Sequence, residues 1–272
     1  MTTTSTGKEP GMTTTPTRKD TDMTTTTTAP QPITKGRGDP LRRTALLTGV
    51  FFVITYLTSI PPKLYFYAPL SNQDNYILGA GPDNLLQWGA LNEVVLVAAN
   101  IASAVVLFPV LKRQSEALAL GFVTARVMES VFISVGILSV LTIVTLRQDL
   151  AGAAGAESAG LATVGTALVT LWQWTFNLGP GVVVGLGNGL ILGYLLYRSR
   201  LVPRGLAWLG LVGGPLILLS GAAVLMGVIE AGSSWQLIAT IPEFFWELGL
   251  GVYLIVKGFK PSPITTGTAQ PE

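Results

Sequence analysis

The sequence predicts an all-α fold: a polytopic membrane protein, a bundle of six transmembrane helices with one short interfacial helix before span four. Three observations carry that prediction. The chain of 272 residues is 49% apolar and only 12% charged, with a mean hydropathy of +0.53, beyond what a soluble core needs. Its apolar residues fall into long runs separated by short polar turns. Its Lys and Arg residues gather at alternate ends of those runs, as the positive-inside rule requires.

Residues 1–40 are Thr-rich and nearly free of large apolar side chains. They repeat every eleven residues as MTTTSTGKEPG, MTTTPTRKDTD and MTTTTTAPQPI. Such a segment buries too little surface to offset its ordering entropy, so it reads as a disordered tail. Met1, Met12 and Met23 each open a repeat, leaving the start codon open among them. No apolar h-region precedes the first span, which is expected to act as an uncleaved anchor.

The transmembrane domain is expected over residues 41–260. Span one covers about 44–60 and is stopped by Pro61-Pro62. An extended loop follows, with Tyr65, Phe66 and Tyr67 read as interfacial, and with Asp74 and Asp83. Span two covers about 86–111, and Lys112, Arg113 and Glu116 turn it into span three, 117–146. The run Leu161–Tyr197 is too long for one span. It divides into an interfacial piece ending near Trp172–Trp174 and span four, 176–197. Arg198, Arg200 and Arg204 lead to span five, 205–229, and span six covers 235–256. Residues 261–272 read as a disordered tail.

One set of ends carries Lys35, Arg37, Arg42, Arg43, Lys112, Arg113, Arg198, Arg200, Arg204, Lys257 and Lys260, the other only Lys63 and Arg147. With six spans, that asymmetry places both termini in the cytoplasm and the chain in the inner (cell) membrane.

Span three organises the rest. Arg126 and Glu129 lie well inside it and cost about 2.5–3.5 kcal/mol each near the bilayer centre, roughly 5–7 together. Its sixteen Leu, Ile, Val and Phe residues return about 0.3–0.6 each, roughly 5–10 kcal/mol. The near balance means the charged stripe must face other protein. Further polar residues sit inside other spans: Glu93 and Asn100 seven apart in span two, Glu243 and Glu247 four apart in span six, each pair on one helix face. Four carboxylates cannot all pair with one Arg. Arg126 is expected to neutralise Glu129, Glu93 or Glu247, leaving at least one carboxyl protonated or water-facing. Two readings follow: a polar pathway for a proton or cation through Glu93, Glu129 and Glu247, or a structural ion pair that fixes helix register.

Gly181, Gly185, Gly189 and Gly193 recur at every fourth position of span four, and Gly210 and Gly214 repeat the spacing in span five. The stripe predicts close helix packing. The Pro180 break at Asn177–Gly181 frees backbone groups that could instead line a site, with Asn177 and Asn188 on nearly one face. Trp88, Trp172, Trp174 and Trp235 toward one boundary, with Tyr197 and Trp208 toward the other, read as an aromatic belt.

The chain contains no Cys and no His. That excludes disulfides, thiolate chemistry and the usual metal centres, so no metal and no cofactor is expected. No P-loop, serine nucleophile with a base or strand-borne nucleotide fingerprint is present. A net charge of +2 gives no ground for a nucleic-acid partner. The expected partners are the bilayer and a small solute or proton; oligomeric state is not legible.

The stretches FPVLKRQSEALALGFVTARVMES (108–130), WQWTFNLGPG (172–181), GYLLYRSRLVPRGLAWLGLVGGPL (193–216) and FFWELGLGVYLIVKGF (244–259) together resemble the bacterial family known as domain of unknown function 4386. The resemblance implies a six-helix integral membrane protein of the cell envelope. It carries no reaction and no catalytic residue, but Arg126, Glu129, Asn177 and Glu247 lie within the matching stretches. The sequence therefore supports a non-enzymatic carrier first, a membrane scaffold second and a cofactor-free enzyme last.

Overall fold

A computed structural model describes residues 39–72, 76–79, 81–150 and 155–265. The Thr-rich segment expected to be disordered lies, up to residue 38, outside the described residues, as do Asp74 and residues 266–272. Among the described residues there is no strand, and six helices are long and apolar enough to cross a membrane. The chain is a multi-pass helical membrane protein.

Helix α1 (Pro40–Pro61) starts where the sequence gives it a cap and a pre-set first turn. Asp39 accepts from the Leu41 N–H at 3.0 Å, and Pro40 has no N–H to leave unpaired. The expected stop at Pro61-Pro62 is not there. The helix passes through both prolines into a π-helical turn, Pro62–Phe66, closed by the Tyr67 N–H on the Pro62 carbonyl at 2.8 Å. A wider turn absorbs the missing donors without ending the helix. Short helix α2 (Ala68–Asn72) and a 3₁₀ turn, Tyr76–Leu78, lead to α3 (Asp83–Leu111) and α4 (Glu116–Asp149), the latter capped by Ser115.

The region divided at Trp174–Phe176 in the sequence is continuous. Helix α5 (Ala156–Leu178) runs into π-helical turns at Gly179–Val183 and Gly185–Leu192, then into α6 (Gly193–Ser199). The span over Glu157–Ser199 is 43 residues long, roughly 60 Å at about 1.5 Å per residue and twice a hydrocarbon core of about 30 Å. Its length agrees with the expectation that one end lies outside the hydrocarbon. The break falls at the glycines, not at the tryptophans. Helices α7 (Arg204–Leu225) and α8 (Ser234–Val256) complete the chain.

The spans form a closed ring in chain order: α1 on α3, α3 on α4, α4 on α5 and its π-turns, those turns on α7, α7 on α8, and α8 on α1. Glycine sets the closest crossings. A Cβ at Gly189 would stand 2.7 Å from the Gly214 nitrogen, and one at Gly49 would stand 2.7 Å from the Gly251 carbonyl. Neither crossing tolerates a side chain. Arg42 of α1 also donates to the last carbonyls of α8, Leu254 at 3.2 Å and Ile255 at 2.6 Å, satisfying orphan acceptors at a negative helix end.

At the Lys/Arg-rich end the ring is filled. Phe52, Leu107, Phe122, Leu192, Leu195, Leu196, Trp246 and Leu254 pack into one cluster, each fully buried. The first residues of the expected C-terminal tail join it. Lys260 N–H donates to the Leu201 carbonyl at 2.8 Å, Ser262 hydroxyl donates to the Ser199 carbonyl, and Ile264 rests against the cluster. At the other end, Tyr67, Tyr76, Leu86, Val144 and Trp172 form a second cluster among the α1–α3 connection, α3, α4 and α5. Arg147 ties that connection down, donating to Asp83 and to the Gly81 carbonyl, both at 2.8 Å.

Candidate functional site

A cavity of about 340 Å³ occupies the half of the ring away from the Lys/Arg-rich end. All six spans line it, and its mouth lies between Lys63 and Leu64 after α1 and Gly232 and Gln236 at the start of α8. Glu93, Asn100, Arg126, Glu129, Glu243 and Glu247 all face this one space.

The floor is built around α4. Arg126 and Glu129, one turn apart on the buried face, form an ion pair of 2.8 Å. Arg126 is 2% exposed, and its guanidinium carbon lies 5.3 Å from the centre of the Phe52 ring. Asn100 of α3 donates to the second Glu129 oxygen at 3.0 Å, so both oxygens of that carboxylate are held by protein. Glu247 approaches the same Arg126 nitrogen at 3.8 Å. Of the three expected partners of Arg126, Glu129 is the close one, Glu247 the second, and Glu93 is elsewhere.

Glu247 is positioned from α8 and gripped by the π-turn opposite. Asn188 donates its amide to a Glu247 oxygen, and the Trp246 indole N–H donates to the Asn188 carbonyl at 3.1 Å. Adjacent side chains of α8 thus hold one asparagine from two sides. The Glu247 side chain remains 21% exposed, open to the cavity. One turn earlier, Glu243 is 2% exposed and lies in a notch where Gly189 and Gly213 leave room: Cβ atoms there would stand 2.9 and 2.7 Å from its oxygen. Neither Glu243 oxygen has a hydrogen-bond partner among the described residues.

Glu93 lies higher on the wall, where the Tyr67 hydroxyl donates to it at 2.8 Å. Tyr67, outside the spans, was expected at the interface with Tyr65. Instead it is fully buried while Tyr65 is exposed, because it turns under the α1–α3 connection against Trp172, ring centres 5.4 Å apart. Burial first, then the neighbouring Glu93 charge and its hydrogen bond, push the Tyr67 phenol well above the ordinary tyrosine range.

Other predicted residues stand differently. Asn177 is buried but does not line the cavity. The π-turns between it and Asn188 use more residues per turn than the α-helix that put both on one face. Gly181 lines the cavity, whereas Gly185, Gly189 and Gly193 pack on α7, against Gly214, Gly214 and Leu211. Trp172, read as part of an aromatic belt, is buried and lines the cavity; Trp88 and Trp235 are exposed, as a belt requires.

Four residues that sequence reasoning passed over matter here: Lys63, Tyr67, Trp172 and Trp246. Lys63 places its ammonium 3.4 Å from the centre of the Phe176 ring at the cavity mouth. Trp246 had a signal, since it follows Glu243 by three residues and so shares its face. The others depend on how the α1–α3 connection folds back. Among the described residues no group of three His, Cys, Asp or Glu could hold a metal ion.

With this geometry in place, comparison with known proteins gives one family. The model of the domain of unknown function (DUF4386) matches residues 47–258, most of the chain and all six spans in whole or large part, and the chain belongs to that family. No curated protein and no solved structure matches it.

Proposed function

We propose that this member of the family is a small-solute or proton-coupled carrier that loads at the cavity and uses its buried carboxylates as the carrying groups. One observation supports the reading above all: Glu93, Glu129 and Glu247 face a single cavity of about 340 Å³ that ends on a fully packed cluster. A scaffold has no use for a polar chamber closed at one end. A carrier caught in one of its two access states has that shape. The cavity holds four carboxyl groups against Lys63 and Arg126; in a low-dielectric space, protons or a cationic solute make up the difference. In this reading the Lys/Arg-rich end faces the cytoplasm with both termini, the membrane is the inner membrane, and the cavity opens to the far side.

A second reading has its own observation. Both Glu129 oxygens are taken by Arg126 and Asn100, as a purely structural ion pair in a membrane scaffold requires. Proton movement into vesicles separates the two. With the full chain reconstituted and an inward proton gradient imposed, a trapped pH dye should report uptake above that of empty vesicles. Glu247→Gln and Glu129→Gln should abolish it while the proteins remain folded. Wild-type uptake equal to that of empty vesicles, with and without an organic cation outside, favours the scaffold.

A further inference from the structure

The charge and the walls of the cavity together specify a class of ligand. From the geometry we infer that the cavity binds a monovalent organic cation with an apolar body, its charged head at Glu243 and Glu247 and its body against the aromatic wall. The inference rests on the carrier reading for its purpose, but binding itself is an equilibrium property that can be measured without flux.

Consider the cations already present. Arg126 is held by Glu129 at 2.8 Å and stands 3.8 Å from Glu247. Lys63 is at the mouth, on Phe176. Neither neutralises Glu243, whose two oxygens are buried without a hydrogen-bond partner among the described residues. Leaving a buried carboxyl group so placed is costly unless something else pairs with it. Glu247, one helical turn away, has the exposure a ligand needs. An anion entering here would meet four carboxyl groups; a cation would meet the groups that lack a partner.

The body of the ligand follows from the lining. Tyr56, Trp172, Phe176 and Phe244 stand around the space, with Tyr56 and Phe244 edge to face at 4.8 Å. Aromatic faces in a desolvated cavity attract cations, and the molecule holds an example: the Lys63 ammonium sits 3.4 Å from the centre of the Phe176 ring. That ammonium is a tethered stand-in for the ligand's head. It also repels an incoming cation, so removing it has a defined sign. A cationic ligand gains from Lys63→Met and an anionic one loses.

The probe is benzyltrimethylammonium, a permanently charged cation of this shape. Its comparisons are neopentylbenzene, the same shape without charge, and benzylsulfonate, the anion. The full chain is held in nanodiscs of neutral lipid, with empty nanodiscs subtracted, and binding is read by equilibrium dialysis and by quenching of tryptophan fluorescence. The cation is expected to bind saturably, and neither comparison to compete. Glu247→Gln and Glu243→Gln should each weaken it on the order of tenfold, and Lys63→Met should tighten it by a few-fold. Ser220→Trp, which fills the cavity from α7 without touching a charge, should abolish binding and guards against a carboxylate variant that fails to fold. Benzylsulfonate binding as tightly, weaker cation binding in Lys63→Met, or unchanged binding in the Glu243→Gln, Glu247→Gln double variant each overturns the inference. Saturable cation binding without vesicle flux upholds it and removes the carrier reading instead.

Discussion

The two halves of the helix ring are built from the same six spans and solve opposite problems. Toward the Lys/Arg-rich end, α1, α3, α4, the α6 segment, α7 and α8 converge on a dry cluster that includes Phe52, Leu195 and Trp246. Toward the other end the spans separate around a cavity with carboxylates on its floor and wall. Apolar contact needs only complementary shape, so the dry half is set by volume and by glycine crossings such as Gly49 on Gly251. The open half cannot be set that way. Its shape depends on a few polar contacts, from Arg126, Asn188, Tyr67 and Arg147. The difference teaches where function and stability separate: polar substitutions should act on the open half and volume changes on the dry half.

The largest test of that division removes Arg126, which sits on the boundary between the halves. Arg126→Ala leaves Glu129 buried beside an unpaired Asn100 contact and takes the second partner from Glu247. The expected loss is about 3–5 kcal/mol, read as thermal unfolding in detergent. Wild-type stability in that variant would mean the ion pair does not hold the floor together.

Next in size is Tyr67→Phe, which deletes a hydrogen bond to a carboxylate in the open half. The expected loss is about 1.5–3 kcal/mol. Its pH dependence has a fixed sign. The Tyr67 pKa is raised on folding, so its contribution is complete below the ordinary tyrosine pKa of about 10 and declines as pH rises above it, where the unfolded phenol ionises and the folded one does not. Wild type should therefore lose stability more steeply than Tyr67→Phe above about pH 10. Parallel curves would mean that Tyr67 is not the donor to Glu93.

How much of this was legible in the sequence divides along the same line. The spans, the Lys/Arg asymmetry and the charged face of α4 follow from local residue chemistry, and a pattern read along the chain reaches them. The pairing of Arg126 with Glu129 is legible because the partners are one turn apart. Asn100 on Glu129 and Asn188 on Glu247 cross between spans, and periodicity gives each residue's face but not the facing residue. The misreadings have one cause. Pro61-Pro62 and the Gly179–Leu192 run look like breaks if every turn is an α-turn, and both are π-helical turns that keep the helix going. That change of pitch took Asn177 away from the cavity. Tyr67 and Trp172 looked interfacial from their neighbours, and the fold-back of the α1–α3 connection buried them together.

A matched pair of truncations sharpens the comparison further. Leu195 is fully buried in the dry cluster, while Ile133, also buried, lines the cavity. In a membrane or detergent the unfolded side chain is solvated nearly as well as the folded one, so the packing part of a truncation dominates its cost. Leu195→Ala opens a new void and should cost about 1–3 kcal/mol. Ile133→Ala enlarges a void already present and should cost less, with a larger cavity for ligand. Equal losses would mean that the open half is as tightly packed as the dry one.

The smallest expected effect is at the rim, where Arg147 bridges α4 to Asp83 at 2.8 Å with part of both side chains exposed. A pair in that setting contributes about 0–1 kcal/mol, and it should weaken as salt is raised toward 1 M, where the screening length falls to about 3 Å. A double-mutant cycle with Arg147→Gln and Asp83→Asn in detergent measures it. The dry cluster, having no exposed charge pair, should keep its Leu195→Ala cost unchanged over the same salt range. A coupling energy at Arg147–Asp83 that ignores salt would place the rim in the same category as the dry half, held by desolvated contact. The aromatic face of Tyr76, 4.6 Å from the Arg147 guanidinium carbon, would then be the group that shields it.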